Sequence, residues 1–165
     1  MKNKKIKKIL FSIMFWVVSL TWGLLLTFIG GLGTLILNGA NLIAKLFGKD
    51  LKIRTHVNGC SLITEVGGNW GGVEMGAFAF CGRYTEISPS WYEHTRRHEF
   101  GHSVQHLIFG PLFIFVVAIP SASRYWYQRI MQGKGKKFSA DWYDSAWFEG
   151  GATRWGTKII DWFEN

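Results

Sequence analysis

The fold of this chain is decided by residues 88–102, which read SPSWYEHTRRHEFGH. Ser90 is followed three residues later by Glu93, and this spacing is a capping box that opens a helix. Helix-forming residues continue from Trp91 to about Phe109, where the pair Gly110-Pro111 stops them. We therefore predict a helix of about five turns with the most informative residues in its middle.

A metal-binding pattern occupies the centre of this helix: His98-Glu99-x-x-His102. Residues four apart share a helical face, so both imidazoles can reach one ion while Glu99 points to a water on it. Zinc lowers the pKa of such a water towards about 7, and a carboxylate can take its proton as the water attacks a carbonyl. The pattern predicts Zn²⁺ as cofactor and Glu99 as general base.

A catalytic zinc ion normally has three protein ligands, and the third must come from elsewhere in the chain. His94 and His106 lie on the same helical face, but each step of four residues moves about 6 Å along the helix. A third histidine of this face therefore cannot reach the ion that His98 and His102 share. Glu149 is the best candidate because it is a lone carboxylate in an aromatic-rich stretch, where a cation would relieve the cost of its burial. Asp144 and Asp141 are the alternatives.

Two further side chains are candidates for stabilising a transition state. Tyr143 and His106 could each donate a hydrogen bond to a developing oxyanion. Packing or solvent contact is the simpler interpretation of both.

The segment before the predicted helix reads as β-structure. Glycine-rich turns at 58–59 and 67–72 separate three β-rich runs, 51–57, 61–66 and 73–81, which indicates hairpins. Small and aromatic residues alternate over Gly76–Phe80, as in a strand with two unlike faces. Core packing explains this alternation more simply than a substrate-binding edge does.

The N-terminal region predicts a membrane anchor, residues 1–47, ahead of a metal-binding domain at 48–165. Residues 9–44 carry no charge, and as one helix they would run about 54 Å against a hydrocarbon core of about 30 Å. Glycines near the middle, at 30, 31 and 33, favour a turn and hence a helical hairpin. One span with an interfacial remainder and a cleaved signal peptide are the alternatives.

A second apolar run, 107–123, contains breakers and is predicted to be re-entrant, interfacial or packed on the anchor.

The charge and cysteine patterns limit the partners. The chain of 165 residues has a net charge of +8, but the lysines flank the apolar region, which favours lipid headgroups and a cytoplasmic location over nucleic acid. No nucleic-acid-binding motif is present. Cys60 and Cys81 are predicted to be buried thiols, which in a domain outside the cytoplasm would instead form a disulfide.

The motif and its surroundings resemble a known group of enzymes. His98, Glu99 and His102 with a downstream Glu149 resemble the gluzincin zinc peptidases, in which a Glu from a second helix completes the site. Segments 97–105, 110–113, 119–121 and 147–149 are similar to small bacterial membrane proteins with a His-Glu-Phe/Tyr-Gly-His helix and no established substrate. The resemblance implies that His98, His102 and Glu149 bind the metal. It fails at Thr153, where gluzincins often have an Asp that holds the first histidine.

Together these patterns predict an α+β fold with an N-terminal transmembrane hairpin, a small β-hairpin sheet, the His-Glu-x-x-His helix and a second, C-terminal ligand helix. The predicted function is a membrane-bound zinc metallopeptidase that cleaves an unknown polypeptide near the cytoplasmic face of a bacterial inner membrane. Residues 107–123 are expected to form one wall of its cleft. The alternative is a non-catalytic membrane protein whose structural zinc site supports protein interactions, although such a site has no need of Glu99.

Overall fold

The computed structural model describes residues 2–68, 70–139 and 141–165. The fold is α+β, with five α-helices and one four-stranded sheet in the described residues. In chain order the elements are α1 (Lys2–Ser19), α2 (Leu24–Leu46), β1 (Arg54–Asn58), β2 (Ser61–Val66), β3 (Gly72–Met75), β4 (Phe78–Gly82), α3 (Pro89–Phe109), α4 (Ile119–Gly133) and α5 (Trp147–Glu164). A 3₁₀ turn (Gly110–Leu112) and a π-helical segment (Ile114–Ala118) connect α3 to α4.

The N-terminal helices divide at a different place from the one predicted. The break lies between Ser19 and Leu24, and α2 runs without interruption through the three glycines. Gly31 and Gly33 instead allow the sheet to pack closely against α2. A Cβ on either residue would lie 3.2 Å from the ring of Phe78 or of Phe80, respectively. The predicted helical hairpin is not shown in residues 2–47, because α1 contacts α3 while α2 contacts the sheet. Of the described helices, α2 is the one long and apolar enough to cross a membrane.

The sheet has the strand order β1-β2-β4-β3. The predicted hairpin at Asn58-Gly59 is confirmed, since β1 and β2 pair antiparallel around it. The third predicted strand is wrong in its length, because Gly76 adopts a left-handed φ of 73° and divides the run into β3 and β4. As a result β2 pairs with β4, in parallel, and β3 forms a free edge of the sheet.

The helix that carries the motif is confirmed, but its cap is not the one predicted. The Ser88 hydroxyl accepts a hydrogen bond from the Trp91 amide, and Pro89 occupies the first turn, where its missing N–H has no cost. Glu93 pairs with Arg96 instead of closing a capping box. Between Leu112 and Ile114 the chain bends by 119° into the π-helical segment and α4, as the breakers in 107–123 indicated.

Small residues allow α3 and α5 to cross at close range. A Cβ on Gly101 would lie 1.9 Å from the carbonyl oxygen of Ala152, and one on Gly156 would lie 1.7 Å from that of Arg97. The absence of a side chain at Gly101 and Gly156 thus lets the two backbones approach each other. This contact fixes the register between the two helices and therefore sets which side chains of α5 face the motif.

The layers of the fold follow from the alternation of strand residues. Ile63, Ala79 and Cys81 face α3 in one apolar cluster, while Phe78 and Phe80 face α2 on the other side of the sheet. A second cluster joins α1 to the helices through Phe15 and Phe100, whose rings stack at 6.1 Å. Both cysteines are buried and free.

Candidate metal centre

Three side chains from α3 and α5 converge on one point. The Nε2 atoms of His98 and His102 are 3.0 Å apart, and Glu149 Oε2 lies 3.1 Å from the first and 3.3 Å from the second. All three residues are buried. The structure thus brings together the three residues that the sequence nominated as ligands.

The geometry of this triangle fits a small tetrahedral cation. With metal–ligand bonds of about 2.0–2.1 Å, two ligand atoms of a tetrahedron are separated by about 3.3–3.4 Å, close to the distances found here. Both oxygens of Glu149 are fully buried and make no hydrogen bond with the described residues. A buried carboxylate without hydrogen bonds is costly, and a cation held by His98, His102 and Glu149 would offset that cost. These three residues could therefore hold a metal ion.

A relay of hydrogen bonds holds His98 from behind. Its Nδ1 lies 2.9 Å from Thr153 Oγ1, and the Thr153 hydroxyl donates to Asp144 Oδ2 at 3.2 Å. Thr153 is the position where gluzincins often have a carboxylate. Here the carboxylate comes from Asp144 and reaches His98 through the threonine hydroxyl. This arrangement fixes the tautomer that leaves Nε2 free for a metal.

His102 is held by a residue that the sequence did not nominate. Its Nδ1 lies 2.8 Å from Gln105 Oε1, and the Gln105 amide donates to the carbonyl oxygen of Phe148 at 2.7 Å. Gln105 thereby connects the second histidine to the residue directly before Glu149. Its position three residues after His102, on the same helical face, was the available signal.

Burial and neighbouring charges shift the pKa values of the site. Burial raises the pKa of Glu99 to about 8 and lowers that of His98. Burial also opposes charge on His102, but Glu149 and Glu99 outweigh it and raise the pKa of His102 to about 9. For Glu149 burial is likewise outweighed, and the two imidazoles lower its pKa. The ligand carboxylate is thus held ionised, while Glu99 has an elevated proton affinity.

The free edge strand β3 lies directly against Glu99. A Cβ on Gly72 would lie 2.5 Å from Glu99 Cγ, so only a glycine allows the strand this close. The next inward-facing residue of β3, Glu74, is buried with its Oε1 at 3.2 Å from His106 Nδ1. This distance is within ion-pair range, although the two atoms lack hydrogen-bond geometry.

The site opens into a cleft of about 910 Å³. One wall is β3 with Gly72 and Val73, and the opposite wall includes Phe113, Val117 and Ser121. The expectation that 107–123 forms a wall of the cleft is confirmed.

The remaining nominated residues have different surroundings. Tyr143 lines the cleft, with its hydroxyl 3.3 Å from Ser121 Oγ, whereas His106 is buried against Glu74 and is not among the described lining residues. Asp144 lies within 4.8 Å of possible ligand atoms on His94 and His98. His102 is not a member of this second group, so Asp144 does not complete the pair of His98 and His102. Asp141 belongs to neither group of the described residues.

Comparisons of the chain with protein-family models, with curated proteins and with solved structures find no match.

Proposed function

We propose that this protein is a membrane-bound zinc metallopeptidase of the gluzincin type. The observation that carries the proposal is the buried triangle of His98, His102 and Glu149, whose two histidines line an open cleft together with Glu99. A site that only stabilises the fold would have no need of a second carboxyl, outside the ligand set, that lines the cleft.

The residues of the site have separate roles in this proposal. His98, His102 and Glu149 hold the zinc ion, which when bound supplies Lewis acidity towards a carbonyl oxygen and a water. Glu99 takes the proton of the attacking water and later delivers it to the leaving amine, a task for which an elevated proton affinity is suitable. Tyr143, which lines the cleft, donates a hydrogen bond to the substrate carbonyl as charge develops in this proposal.

A polypeptide is the substrate that best matches the cleft. Within residues 2–68, 70–139 and 141–165, β4 is the one strand that pairs with β3, so the other edge of β3 offers backbone N–H and C=O groups beside Glu99. An extended peptide can pair with such an edge, which places a backbone carbonyl close to the reacting groups without requiring a particular side chain. Esters and sugars have no comparable match to a strand edge.

The proposed location is a bacterial inner membrane, with the metal site near the cytoplasmic face. α2 has the length and composition of a membrane segment, and lysines occupy both ends of the N-terminal helical region. Basic flanks of this kind favour the cytoplasmic side. The buried, unpaired cysteines are compatible with a reducing compartment.

The experiment combines metal analysis with peptide hydrolysis. We expect one zinc per chain in the detergent-purified wild type and in Glu99→Gln, but little in His98→Ala or Glu149→Ala. Hydrolysis of a quenched fluorescent peptide library should fall about 10²–10⁴-fold in Glu99→Gln, the usual contribution of a general base. Glu93→Gln, which makes the same change on an exposed face of α3, is the control and should remain active.

Two results would reject the proposal. Wild type that binds zinc but cleaves no member of the library would favour the structural-zinc alternative. Equal metal content in wild type and Glu149→Ala would remove the metal site itself.

A further inference from the structure

The amphipathic character of α2 is inverted with respect to a helix on the surface of a water-soluble domain. Its buried positions are small or polar, namely Thr27, Gly30, Thr34 and Asn41. Its outward positions are large and apolar, with exposed fractions between 44% and 79% at Leu25, Phe28, Ile29, Leu32, Leu35, Ile36, Leu42, Ile43 and Leu46. A surface helix in water would have the reverse arrangement.

The polar side of α2 is hydrogen-bonded to the domain along the whole helix. Near its start, Thr27 Oγ1 accepts from the Ala77 amide at 3.3 Å. In its second half, Asn38 donates to Thr55 Oγ1 of β1 at 2.7 Å. Near its end, Asn41 Oδ1 accepts from the Leu51 amide at 2.9 Å. The sheet and α2 therefore form one body, and α2 cannot leave the domain without breaking these bonds.

α1 has an exposed apolar face of its own. Ile6, Ile9, Leu10, Ile13 and Val17 are exposed at the three- and four-residue spacing of one helical face. The apolar surface of α2 continues to Pro111, because Trp22, Leu25 and Phe28 surround a shallow pocket with it. Exposed lysines stand at the start of α1 and at the end of α2: Lys4, Lys5, Lys7, Lys45 and Lys49.

We propose that α1 and α2 lie flat on an anionic lipid bilayer, with their apolar faces in one leaflet and the catalytic domain above it. An amphipathic helix in this position buries its apolar face at the boundary between headgroups and acyl chains. The lysines at the two ends then contact anionic headgroups. This inference rests on the membrane association in the proposed function, but not on its catalytic chemistry.

A perpendicular α2 would bring the sheet into the hydrocarbon. The helix is about 35 Å long, enough to cross a core of about 30 Å. Because β1 is bonded to its second half, the unpaired edge of β1 would enter the bilayer with Arg54 and His56, which are both exposed. Open sheet edges do not occur in lipid, and charged side chains there are costly. The flat orientation avoids both problems.

The flat orientation also places the cleft close to the membrane surface. Phe113 and Val117 line the cleft, while Leu112 and Phe115 of the same segment are exposed, and the 3₁₀ turn that carries Leu112 contacts α2. The wall of the cleft therefore borders the leaflet. Polypeptides held at the membrane surface are the substrates with the shortest path to Glu99.

Spin labels on α2 distinguish the two orientations. Single cysteines are placed at Leu25, Leu35 and Leu46 of the full-length protein, in vesicles of phosphatidylcholine and phosphatidylglycerol, and label depth is measured by oxygen and nickel accessibility. The native thiols are buried and do not compete for label. A label at Val57 of β1, which is 70% exposed, reports on the sheet.

We expect equal, shallow depths for the three α2 labels and an aqueous environment at Val57. The proposal is overturned if the Leu35 label lies at the bilayer centre while the other two lie near opposite surfaces. It is also overturned if all three labels are shielded from oxygen, because a second copy of the chain then covers the face. Peptide hydrolysis measured on the same vesicles tests the proposed catalytic function separately.

The contact between the lysines and anionic headgroups is tested by vesicle flotation, after the protein is diluted from detergent. A Lys4→Gln, Lys7→Gln double variant should bind vesicles containing phosphatidylglycerol roughly 25-fold more weakly than wild type, since each lysine contributes about fivefold. Its binding to pure phosphatidylcholine should be unchanged. Equal binding of variant and wild type to the anionic vesicles would overturn the headgroup contact.

Discussion

Removal of the Thr153 hydroxyl is expected to weaken zinc binding without removing a ligand. In Thr153→Val the side chain keeps its shape but loses its contacts to His98 Nδ1 at 2.9 Å and to Asp144 Oδ2 at 3.2 Å. The Nδ1–H of His98 is then buried without a partner, which costs about 1–3 kcal/mol. That cost corresponds to about 5–150-fold in affinity, and altered partners of metal-binding histidines typically cost about 10–100-fold. We therefore expect a loss of about 10–100-fold.

The measurement is a competition between the purified full-length protein and a chromophoric zinc chelator. Thr153→Ser keeps the hydroxyl and should bind zinc like wild type. Thr157→Val makes the same change one turn further along α5 and should also leave the affinity unchanged. Thermal unfolding of the metal-free proteins checks that the variants fold. Wild-type affinity in Thr153→Val would refute the relay from Asp144 to His98.

Three further outcomes follow from the packing of the site and its surroundings. Gly101→Ala should lower the unfolding temperature in a thermal scan and reduce zinc content together, because the new Cβ would meet the Ala152 carbonyl; an unchanged unfolding temperature would contradict the close crossing. Cys60 and Cys81 should resist alkylation at neutral pH until the protein unfolds, since burial raises the pKa of both thiols to about 12; rapid labelling of the native protein, seen by mass spectrometry, would contradict this. Glu74→Gln should raise the KM for peptides while zinc stoichiometry stays the same, because the carboxyl group through which β3 contacts the buried His106 of α3 is lost. An unchanged KM would exclude a role of Glu74 in holding β3 for the substrate.

Local patterns predicted the elements whose determinants lie within one helix or one turn. The motif helix is an example, since its histidines, its length and its stop at Gly110 depend on residues a few positions apart. The cap moved to Ser88 because Pro89 suits the first turn of a helix better than an extended position does. The hairpin at Asn58-Gly59 was likewise a local feature.

Pairing over long distances was predicted less well. Nothing in the run 73–81 indicated that a left-handed Gly76 would divide it, or that β2 would pair in parallel with β4. Both features depend on the other elements that cover the sheet. The glycines of α2 were assigned to a turn because their role, close packing against Phe78 and Phe80, involves residues about fifty positions away.

The sequence predicted those residues of the candidate metal site whose burial has an evident energetic cost. An isolated carboxylate in an aromatic stretch has to find a compensating charge, and this nominated Glu149 without knowledge of the fold. Its supporting residues carry no such signal, because threonine and glutamine are ordinary on a helix surface. Their roles appear once Gly101 and Gly156 fix the register of α3 on α5 and bring Thr153 and Gln105 to the two histidines.

The polar residues of α2 carry more information about the membrane than its apolar residues do. Apolar content alone is compatible with a spanning helix, a buried core helix or a signal sequence. Polar side chains at helical spacing, from Thr27 through Thr34 and Asn38 to Asn41, require hydrogen-bond partners along one face. In this fold the partners lie in the sheet and in the chain segments next to its strands, so the apolar face turns away from the domain. In the proposed flat orientation, those four residues therefore determine which side of α2 faces lipid, and with it the distance of the cleft from the bilayer.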